Sequence, residues 1–346
     1  MTGGGTLGPV TPLIALAEAW CEEDASIILS WVGTSSGPEK KIIKAADIPF
    51  ISLSTPKLDR HNKWKWIFIA PHLLFSIVNA YRILKKIKPD IIFTAGGYVS
   101  VPVVIAGKLQ GIPSWVHQLD VAPGIANKIM AYFANHVSIT WKESAEGFGK
   151  RRTELVGSLV RKELSFGSGE RVKRANKFDQ QKPTVFVFGG GTGAQAINEN
   201  LLAARDELLK EVNIIHITGC GKGSGEEKFP QGYIARELVN EEMADFYAAA
   251  DVVVARAGMG TLLELSSIGK PAILIPIQGT DQELNAALYE KAGGAIVIRR
   301  LNPQILKQEI IRLANNRSKR SMIGSKARNV FQKNGAKAII KMVKGE

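Results

Sequence analysis

Short segments of almost entirely apolar, often β-branched residues alternate along this chain with longer segments in which apolar residues recur at helical spacing. The short segments are typical of strands buried on both faces, and the longer ones of amphipathic helices. This alternation favours a parallel sheet covered by helices on both faces. In the first half, strands are predicted at residues 26–31, 48–53, 90–94, 114–117 and 137–141.

A second series of the same kind follows a polar stretch at residues 162–182, which we interpret as a linker. The final segment, residues 318–343, places apolar residues at helical spacing among lysines and arginines, and it predicts one terminal amphipathic helix. In this second series, strands are predicted at residues 184–188, 213–218, 251–255, 272–277 and 295–298.

The predicted fold class is therefore α/β, with two doubly wound Rossmann-like domains facing a cleft. Sheets of this kind bind ligands at the carboxyl ends of their strands, so the active site is expected between the two halves. We predict a first domain at residues 1–160, a second at 161–325, and at 326–346 a helix that packs back on the first domain. A glycine loop opens the chain where a strand should precede it, so the first strand is expected to be missing.

The composition of the chain indicates which kinds of partner and compartment it suits. The 346 residues include 45 basic and 32 acidic side chains, a formal charge of +13 that favours an anionic partner. The two cysteines, Cys21 and Cys220, form no metal-ligand spacing and are expected to be free thiols of a reducing compartment. The longest apolar run, residues 67–78, is interrupted by Pro71 and is shorter than the roughly 20 residues that span a bilayer, so we expect membrane contact without crossing.

Two glycine-rich loops are the first candidates for chemistry. One runs from Gly3 to Gly8, and the other, from Gly189 to Ala194, directly follows the predicted strand 184–188. Glycine lets a backbone approach a phosphate closely, and the amino terminus of the following helix offers free N–H groups to an anion. Both loops are therefore predicted phosphate or diphosphate sites.

The same loops match the dinucleotide fingerprint GxGxxG/A, so an NAD or FAD enzyme is a rival class. Such enzymes need an acidic residue about 20 positions later, at the end of the next strand. The predicted strands at residues 213–218 and 26–31, which follow the two loops, end instead in Thr218-Gly219 and Val32-Gly33. The chain also has no GxxxxGK[ST] loop and no Asp-x-Asp pair, so a P-loop and a metal-bridged diphosphate site are not predicted.

Several separate blocks, in order along nearly the whole chain, resemble the MurG family of glycosyltransferases, which add N-acetylglucosamine to lipid I in peptidoglycan synthesis. The blocks are Gly4-Gly5-Thr6, Gly96 to Ser100 with Pro102, Pro123-Gly124 with Asn127, Gly157 to Arg161, Gly189 to Ala194 with Asn198, Arg256 to Glu264, and Asp281-Gln282 with Asn285-Ala286. Each block alone is weak evidence for the resemblance, whereas the ordered set of blocks is specific. The resemblance implies the GT-B fold, no metal and no cofactor.

This resemblance also implies roles for single residues in donor binding. Glu264 would hydrogen-bond the ribose of UDP, Gly191 and Thr192 would meet the donor diphosphate, and amide side chains would read the sugar hydroxyls. The arginines would lie beside the nucleotide and stabilise the leaving UDP. The full implied donor set is Arg161, Gly191, Thr192, Asn198, Met243, Arg256, Glu264, Gln282 and Asn285.

The acceptor side departs from the family pattern at two positions. Pro9 stands where the family loop has a histidine, and the family's His-Glu-Gln-Asn segment is replaced by a segment that begins His117-Gln118 and ends at Asp120. Asp120 is therefore our first candidate for general base, and His117 the second. The implied acceptor-binding residues are Thr6, Gly8, Gly97, Tyr98 and Asn127.

Ordinary structural roles compete with several of these assignments. Glu264 could complement a helix dipole from the first turn, and His117 could be a satisfied histidine at the end of a strand. Asp120 could begin a turn, and Tyr98 could be a packing aromatic. These alternatives make different predictions for the burial and the partners of each side chain.

The segment 57–88 mixes tryptophan and long apolar residues with lysine and arginine. This mixture is typical of a surface that rests on anionic lipid, although ordinary amphipathic helices covering the sheet would have part of the same pattern. The sequence thus predicts a transferase at the cytoplasmic face of the membrane, with a UDP-sugar donor, a polyprenyl-diphosphate-linked acceptor, an anionic membrane surface and no nucleic acid as partner. A related transferase, or a non-catalytic UDP-sugar-binding paralogue, is the alternative.

Overall fold

The computed structural model describes residues 1–6, 8–56, 66–161, 164, 166–190, 194–223, 229–239, 242–332 and 334–345, with the side chains of 66–69 left out. The chain divides into two compact units. Unit 1 consists of Met1–Arg161 and Gln332–Glu346, and unit 2 of Lys162–Phe331. Unit 2 is therefore continuous, whereas unit 1 is completed by the end of the chain.

Unit 1 is built on parallel strands. They are β1 (Trp31–Gly33), β2 (Phe50–Ser52), β3 (Ile92–Thr94), β4 (Ser114–Gln118), β5 (His136–Ile139) and β6 (Glu154–Leu155). Its helices are α1 (Val10–Glu23), α2 (Glu39–Ala45), α3 (Trp66–Ile87), α4 (Ser100–Leu109), α5 (Ile125–Phe133), a 3-10 helix (Lys142–Phe148) and, from the end of the chain, α13 (Gly335–Lys344).

The sheet of unit 1 has the order β2-β1 on one side and β3-β4-β5-β6 on the other. Thr2 lies between the two groups, because it forms parallel bridges with both Val32 of β1 and Thr94 of β3. The place of the expected first strand is thus held by a single bridging residue, and the glycine loop follows it directly.

Unit 2 is a six-stranded parallel sheet in the order β12-β11-β10-β7-β8-β9. Its strands are β7 (Thr184–Phe188), β8 (Asn213–Ile217), β9 (Tyr233–Arg236), β10 (Val252–Ala255), β11 (Ala272–Leu274) and β12 (Ala295–Val297). Its helices are α6 (Gly169–Ala175), α7 (Gln195–Leu208), α8 (Met243–Ala249), α9 (Met259–Ile268), α10 (Gln282–Lys291), α11 (Pro303–Ala314) and α12 (Arg317–Ala327).

The cores follow the apolar pattern of the sequence. Helices α7 and α11 cover one face of β7, β8 and β10 with side chains such as Leu201 and Leu306, and Phe246 and Tyr247 of α8 pack against Phe186 on the other face of β7. Burial on both faces explains why β7 is apolar apart from Thr184. In unit 1, α3, α4 and α5 pack their apolar faces on the sheet in the same way. The predicted class of two doubly wound α/β units is confirmed.

Several predicted elements need correction. The strand predicted at 26–31 begins only at Trp31, because β1 has a partner only from Trp31 to Gly33, and Ile28 is 93% exposed. The terminal helix predicted at 318–343 is two helices, α12 and α13, interrupted near Asn334, whose φ of 66° is left-handed. The boundary predicted at residue 325 falls inside α12, so the chain returns to unit 1 later than predicted.

Candidate functional site

The switch point of the unit 2 sheet lies between β7 and β10. The chain continues from β7 to β8 on one side and from β10 to β11 on the other, which opens a crevice at the carboxyl ends of the two central strands. Gly189 and Gly190 follow β7, and Arg256 follows β10. Gly190 has a φ of 84°, and no described atom lies within 4 Å of the place of a Cβ. Gly191 and Thr192, the predicted diphosphate contacts, lie outside the described residues.

Glu264 lies at this switch point on α9, which begins after Gly258. It is the sixth residue of the helix, and the first turn contains no acidic residue, so dipole complementarity does not explain its position. The half-buried carboxylate accepts a hydrogen bond from the hydroxyl of Tyr247 at 2.8 Å. Met243, another predicted donor contact, begins α8 and lies one turn before Tyr247 on the same helix.

Arg256 has a guanidinium that is partly anchored. Its Nη1 donates to the carbonyl oxygen of Ile275 at 3.0 Å and to that of Pro276 at 3.4 Å, while its buried Nε has no partner among the described residues. Burial lowers the pKa of Arg256, although an arginine remains charged at neutral pH. The residue therefore places a fixed positive charge directly after β10. Arg161 ends the first of the two segments of unit 1 and is half-buried.

Of the two amide residues predicted on α10, only Gln282 is partly accessible. Its Oε1 accepts the N–H of Ile277 at 3.2 Å, which ties the loop after β11 to the helix. Asn285 is completely buried and donates to the carbonyl oxygen of Ala257 at 3.4 Å. This geometry argues against the predicted contact of Asn285 with sugar hydroxyls and indicates that it braces the loop after β10.

Asn198 also has a structural position, within a hydrogen-bonded chain that sequence reasoning missed. Its Nδ2 donates to the carbonyl oxygen of Thr218 at 2.9 Å, and its Oδ1 lies 3.0 Å from Nε2 of His216. Nδ1 of His216 lies 2.7 Å from the hydroxyl of Tyr233. Burial lowers the pKa of His216 to about 4, so the ring is neutral and Nε2 donates to Asn198. Asn198 thus fixes α7 to β8 rather than facing a ligand.

In unit 1, the two predicted acceptor loops pack against each other. Gly5 and Gly97 have φ values of 85° and 97°. A Cβ on Gly97 would lie 2.6 Å from the carbonyl oxygen of Gly4, and a Cβ on Gly5 would lie 2.5 Å from the ring of Tyr98. These close approaches require glycine at both positions. Thr6 and Gly8 are exposed beside the same loop, before α1 begins.

A carboxylate that we did not predict supports this loop pair. Glu39 is completely buried, and its Oε1 accepts the N–H of Thr34 at 2.8 Å and the Thr34 hydroxyl at 2.5 Å. Its Oε2 accepts the N–H of Gly5 at 3.3 Å. Burial, and after it the charge of Glu39, raises the pKa of Tyr98, whose hydroxyl bonds to Thr34. The signal in the sequence was weak, because Glu39 looks like an ordinary acid in the first turn of α2.

The predicted general base candidates have different surroundings. Asp120 is half-buried directly after Leu119 at the carboxyl end of β4, and its carbonyl oxygen accepts bonds from Gln118 Nε2 at 2.7 Å and from Ser144 at 3.1 Å. Asn127 donates to Gln118 Oε1 at 2.5 Å. Gln118 and the buried Asn127 therefore fix the backbone around Asp120, and Asn127 is used in this way rather than presented to an acceptor.

His117 does not fit the role of second base. Its ring is buried within the sheet, with Nδ1 2.9 Å from the hydroxyl of Ser138 and Nε2 3.1 Å from that of Thr140. Burial lowers its pKa to about 3. Both nitrogens are used by neighbouring strand residues, so the ring has no route to an acceptor hydroxyl. The structural alternative, a satisfied histidine of the strand, explains this residue.

Known protein families match most of this chain. The glycosyltransferase family 28 N-terminal domain matches residues 1–139, and the family's C-terminal domain matches residues 184–343. The crystal structure of Acinetobacter baumannii MurG has the same fold, with a TM-score of 0.76 at 24% identity, over 100% of this chain and 98% of that one.

Two curated relatives carry the name UDP-N-acetylglucosamine–N-acetylmuramyl-(pentapeptide) pyrophosphoryl-undecaprenol N-acetylglucosamine transferase. The relative from Geobacillus thermodenitrificans is 39% identical over 328 residues, which cover 92% of this chain and 91% of the relative. The relative from Clostridium perfringens is 38% identical over 345 residues, 96% of either chain. Fold, site and relatives together define a UDP-sugar-dependent glycosyltransferase of the GT-B fold. The chain belongs to glycosyltransferase family 28.

Proposed function

We propose that this chain transfers N-acetylglucosamine from UDP-N-acetylglucosamine to N-acetylmuramyl-pentapeptide linked through a diphosphate to undecaprenol, which converts lipid I to lipid II in peptidoglycan synthesis. The observation that carries this proposal is the near-full-length similarity, at 39% identity, to a relative named for this reaction. The position of Glu264 at the switch point of unit 2 supports the donor half of it.

The donor binds in unit 2. The carboxylate of Glu264 accepts hydrogen bonds from the two ribose hydroxyls of UDP, since a carboxylate has acceptor sites for both. The diphosphate lies at the loop after β7, where Gly190 leaves room for close approach and α7 begins. The fixed charge of Arg256 stabilises the negative charge that develops on the departing diphosphate.

The acceptor binds in unit 1, with its diphosphate at the paired glycine loops and its sugar at Asp120. The acceptor hydroxyl oxygen forms a bond to C1 of N-acetylglucosamine while the bond from C1 to the UDP oxygen breaks. The hydroxyl proton passes to the carboxylate of Asp120, and the electron pair of the broken bond leaves with UDP. A single displacement of this kind inverts the configuration at C1.

Attachment to the cytoplasmic face of the cell membrane, through an anionic lipid surface, completes the proposal. Helix α3 exposes Leu74 and Phe75 by 63% and 58% beside the exposed cations Arg82, Lys85 and Lys86. The predicted aromatic Trp64 and its basic neighbours lie outside the described residues, as does the side chain of Trp66. Among the helices that the structure describes, none is long and apolar enough to span a bilayer.

The proposal is tested by product formation from a panel of UDP-sugars with a short-chain lipid I analogue in detergent and EDTA. We expect turnover with UDP-N-acetylglucosamine, a loss of kcat of about 10²- to 10⁴-fold in Asp120→Asn, and a rise of about tenfold in the donor KM in Glu264→Gln. The exposed Asp90→Asn is the matched control and is expected to keep both constants. Turnover only with another donor would favour a related transferase, and UDP binding without any turnover would favour a non-catalytic paralogue.

A further inference from the structure

The carboxylate of Glu264 has a hydrogen-bond partner on a different helix, the hydroxyl of Tyr247. Tyr247 lies on α8 and is completely buried, whereas Glu264 lies on α9 and is half-buried at the switch point. The hydroxyl donates to Oε2 of Glu264 at 2.8 Å. A hydrogen bond to a carboxylate is among the stronger ones in proteins.

The tyrosine ring is held rigidly. Phe186 and Phe188 of β7 meet it edge to face, with ring centroids 5.4 Å and 5.9 Å away. Burial, and after it the charge of Glu264, raises the pKa of Tyr247 well above its ordinary value, so the hydroxyl keeps its proton and remains a donor. The hydroxyl therefore occupies a position set by the strand that also leads into the glycine loop.

We infer that Tyr247 is a positioning residue for the donor ribose, which holds the Glu264 carboxylate in the orientation that accepts two vicinal hydroxyls. This inference rests on the ribose role proposed above for Glu264. A glutamate side chain loses substantial rotamer freedom when it binds a ligand, and a carboxylate that is already oriented loses less on binding. Tyr247 thereby contributes to the selection of a ribose over a deoxyribose donor.

The chain offers a matched control. Tyr289, on α10 of the same unit, is also completely buried, but its hydroxyl has no hydrogen-bond partner among the described residues. Removal of either hydroxyl leaves a phenylalanine of nearly the same shape. Both substitutions therefore remove a buried hydroxyl, but only Tyr247→Phe also removes a hydrogen bond to Glu264.

The experiment compares the full-length wild type, Y247F and Y289F with UDP-N-acetylglucosamine and with its 2′-deoxyribose analogue, at a saturating lipid I analogue. In Y247F we expect the KM for the ribose donor to rise about five- to tenfold, with kcat within about twofold, and the preference for the ribose donor to fall by the same factor. In Y289F both quantities are expected to match the wild type. Glu264→Asp moves the ribose-binding carboxylate itself, so it gives the reference for a full loss of the preference, against which the loss in Y247F is compared.

The outcomes separate this inference from the function on which it rests. A wild type that turns over both donors equally well would overturn the ribose role of Glu264 and the inference with it. A wild type that prefers the ribose donor, together with a Y247F variant that keeps the full preference and an unchanged KM, would overturn the inference alone. Equal effects of Y247F and Y289F would show a general packing effect and would also overturn it.

Discussion

At the scale of single residues, Glu39 is the group whose function the sequence least suggested. Its carboxylate accepts bonds from Thr34 and from the N–H of Gly5, so it sets the shape of the loop to which we assign the acceptor diphosphate. In Glu39→Gln an amide N–H₂ must face one of these donors. We expect the KM for the lipid acceptor to rise about tenfold, with a loss of stability of about 1 to 3 kcal/mol.

The same experiment includes its controls. The KM for the UDP-sugar should stay within about twofold of the wild type, because the donor site is assigned to unit 2. The exposed Glu143→Gln, also in unit 1, should change neither constant. A rise in both KM values would contradict a local role for Glu39 and would indicate a general effect on the enzyme.

At this scale, sequence reasoning is most reliable where one residue type has few uses. Glycine is such a type, because a Cβ at a position such as Gly97 would meet the carbonyl oxygen of Gly4. Polar residues that face neighbouring strands or helices are harder to assign, because burial and partners arise from the tertiary structure. His117 and Asn285 matched the family pattern, yet their polar atoms are bonded inside the protein.

At the scale of elements, helix α3 has two apolar faces, one that packs on the core of unit 1 and one that is exposed. Leu73, Ile77, Ala80 and Leu84 pack toward the core of unit 1, whereas Leu74, Phe75, Val78 and Tyr81 are exposed by 38% to 63%. An exposed apolar stripe beside cations is unusual for a helix that only covers a sheet. This arrangement favours a lipid surface as the partner of α3.

We predict that α3 determines binding to anionic vesicles. Replacement of Arg82, Lys85 and Lys86 by glutamine should weaken binding to vesicles with phosphatidylglycerol by about a hundredfold, since each cation near the surface contributes about 1 kcal/mol. The measurement is cosedimentation at constant ionic strength, and turnover of a short-chain acceptor in detergent should be kept.

The control for this prediction replaces three exposed cations of unit 2, Lys291, Arg317 and Lys326, with glutamine. The same charge is removed, but these cations lie on two helices, α10 and α12, and no exposed apolar stripe accompanies them. Equal losses in the two triple variants would show that net charge, rather than α3, attracts the protein to the vesicles.

The elements that the sequence predicted best are those with a complete apolar run. β7 was predicted at residues 184–188 with its exact bounds, because all five of its residues are buried. β9 was missed, because it is not a complete apolar run: it ends in the exposed Arg236, and only its first two residues are buried. Strand bounds depend on the length of the partner strand, which no local pattern contains.

At the scale of the whole molecule, the chain closes unit 1 with its own end. Helix α13 packs on α1, where Ile339 and Ile340 are completely buried and Lys344 pairs with Glu23 at 2.6 Å. The N–H of Ser158 donates to the carbonyl oxygen of Gln332 at 2.9 Å. Helix α13 thus contributes to the core of unit 1 through Ile339 and Ile340, although unit 2 precedes it in sequence.

Because α13 belongs to unit 1, we predict that a substitution in it lowers the stability of unit 1 and leaves donor binding in unit 2 unchanged. Ile339→Ala removes buried apolar volume from unit 1 and should destabilise it by about 2 to 5 kcal/mol. The dissociation constant of UDP should stay within about twofold of the wild type, because Gly190, Arg256 and Glu264, to which the diphosphate and the ribose are assigned, belong to the continuous unit 2. The two quantities are measured by calorimetric unfolding and by titration with UDP at a temperature well below the transition. The exposed Lys337→Ala on the same helix is the matched control for helix propensity. A loss of UDP affinity that parallels the loss of stability would contradict this prediction. It would show that unit 2 depends on unit 1 for its fold, so that the two compact units do not unfold independently.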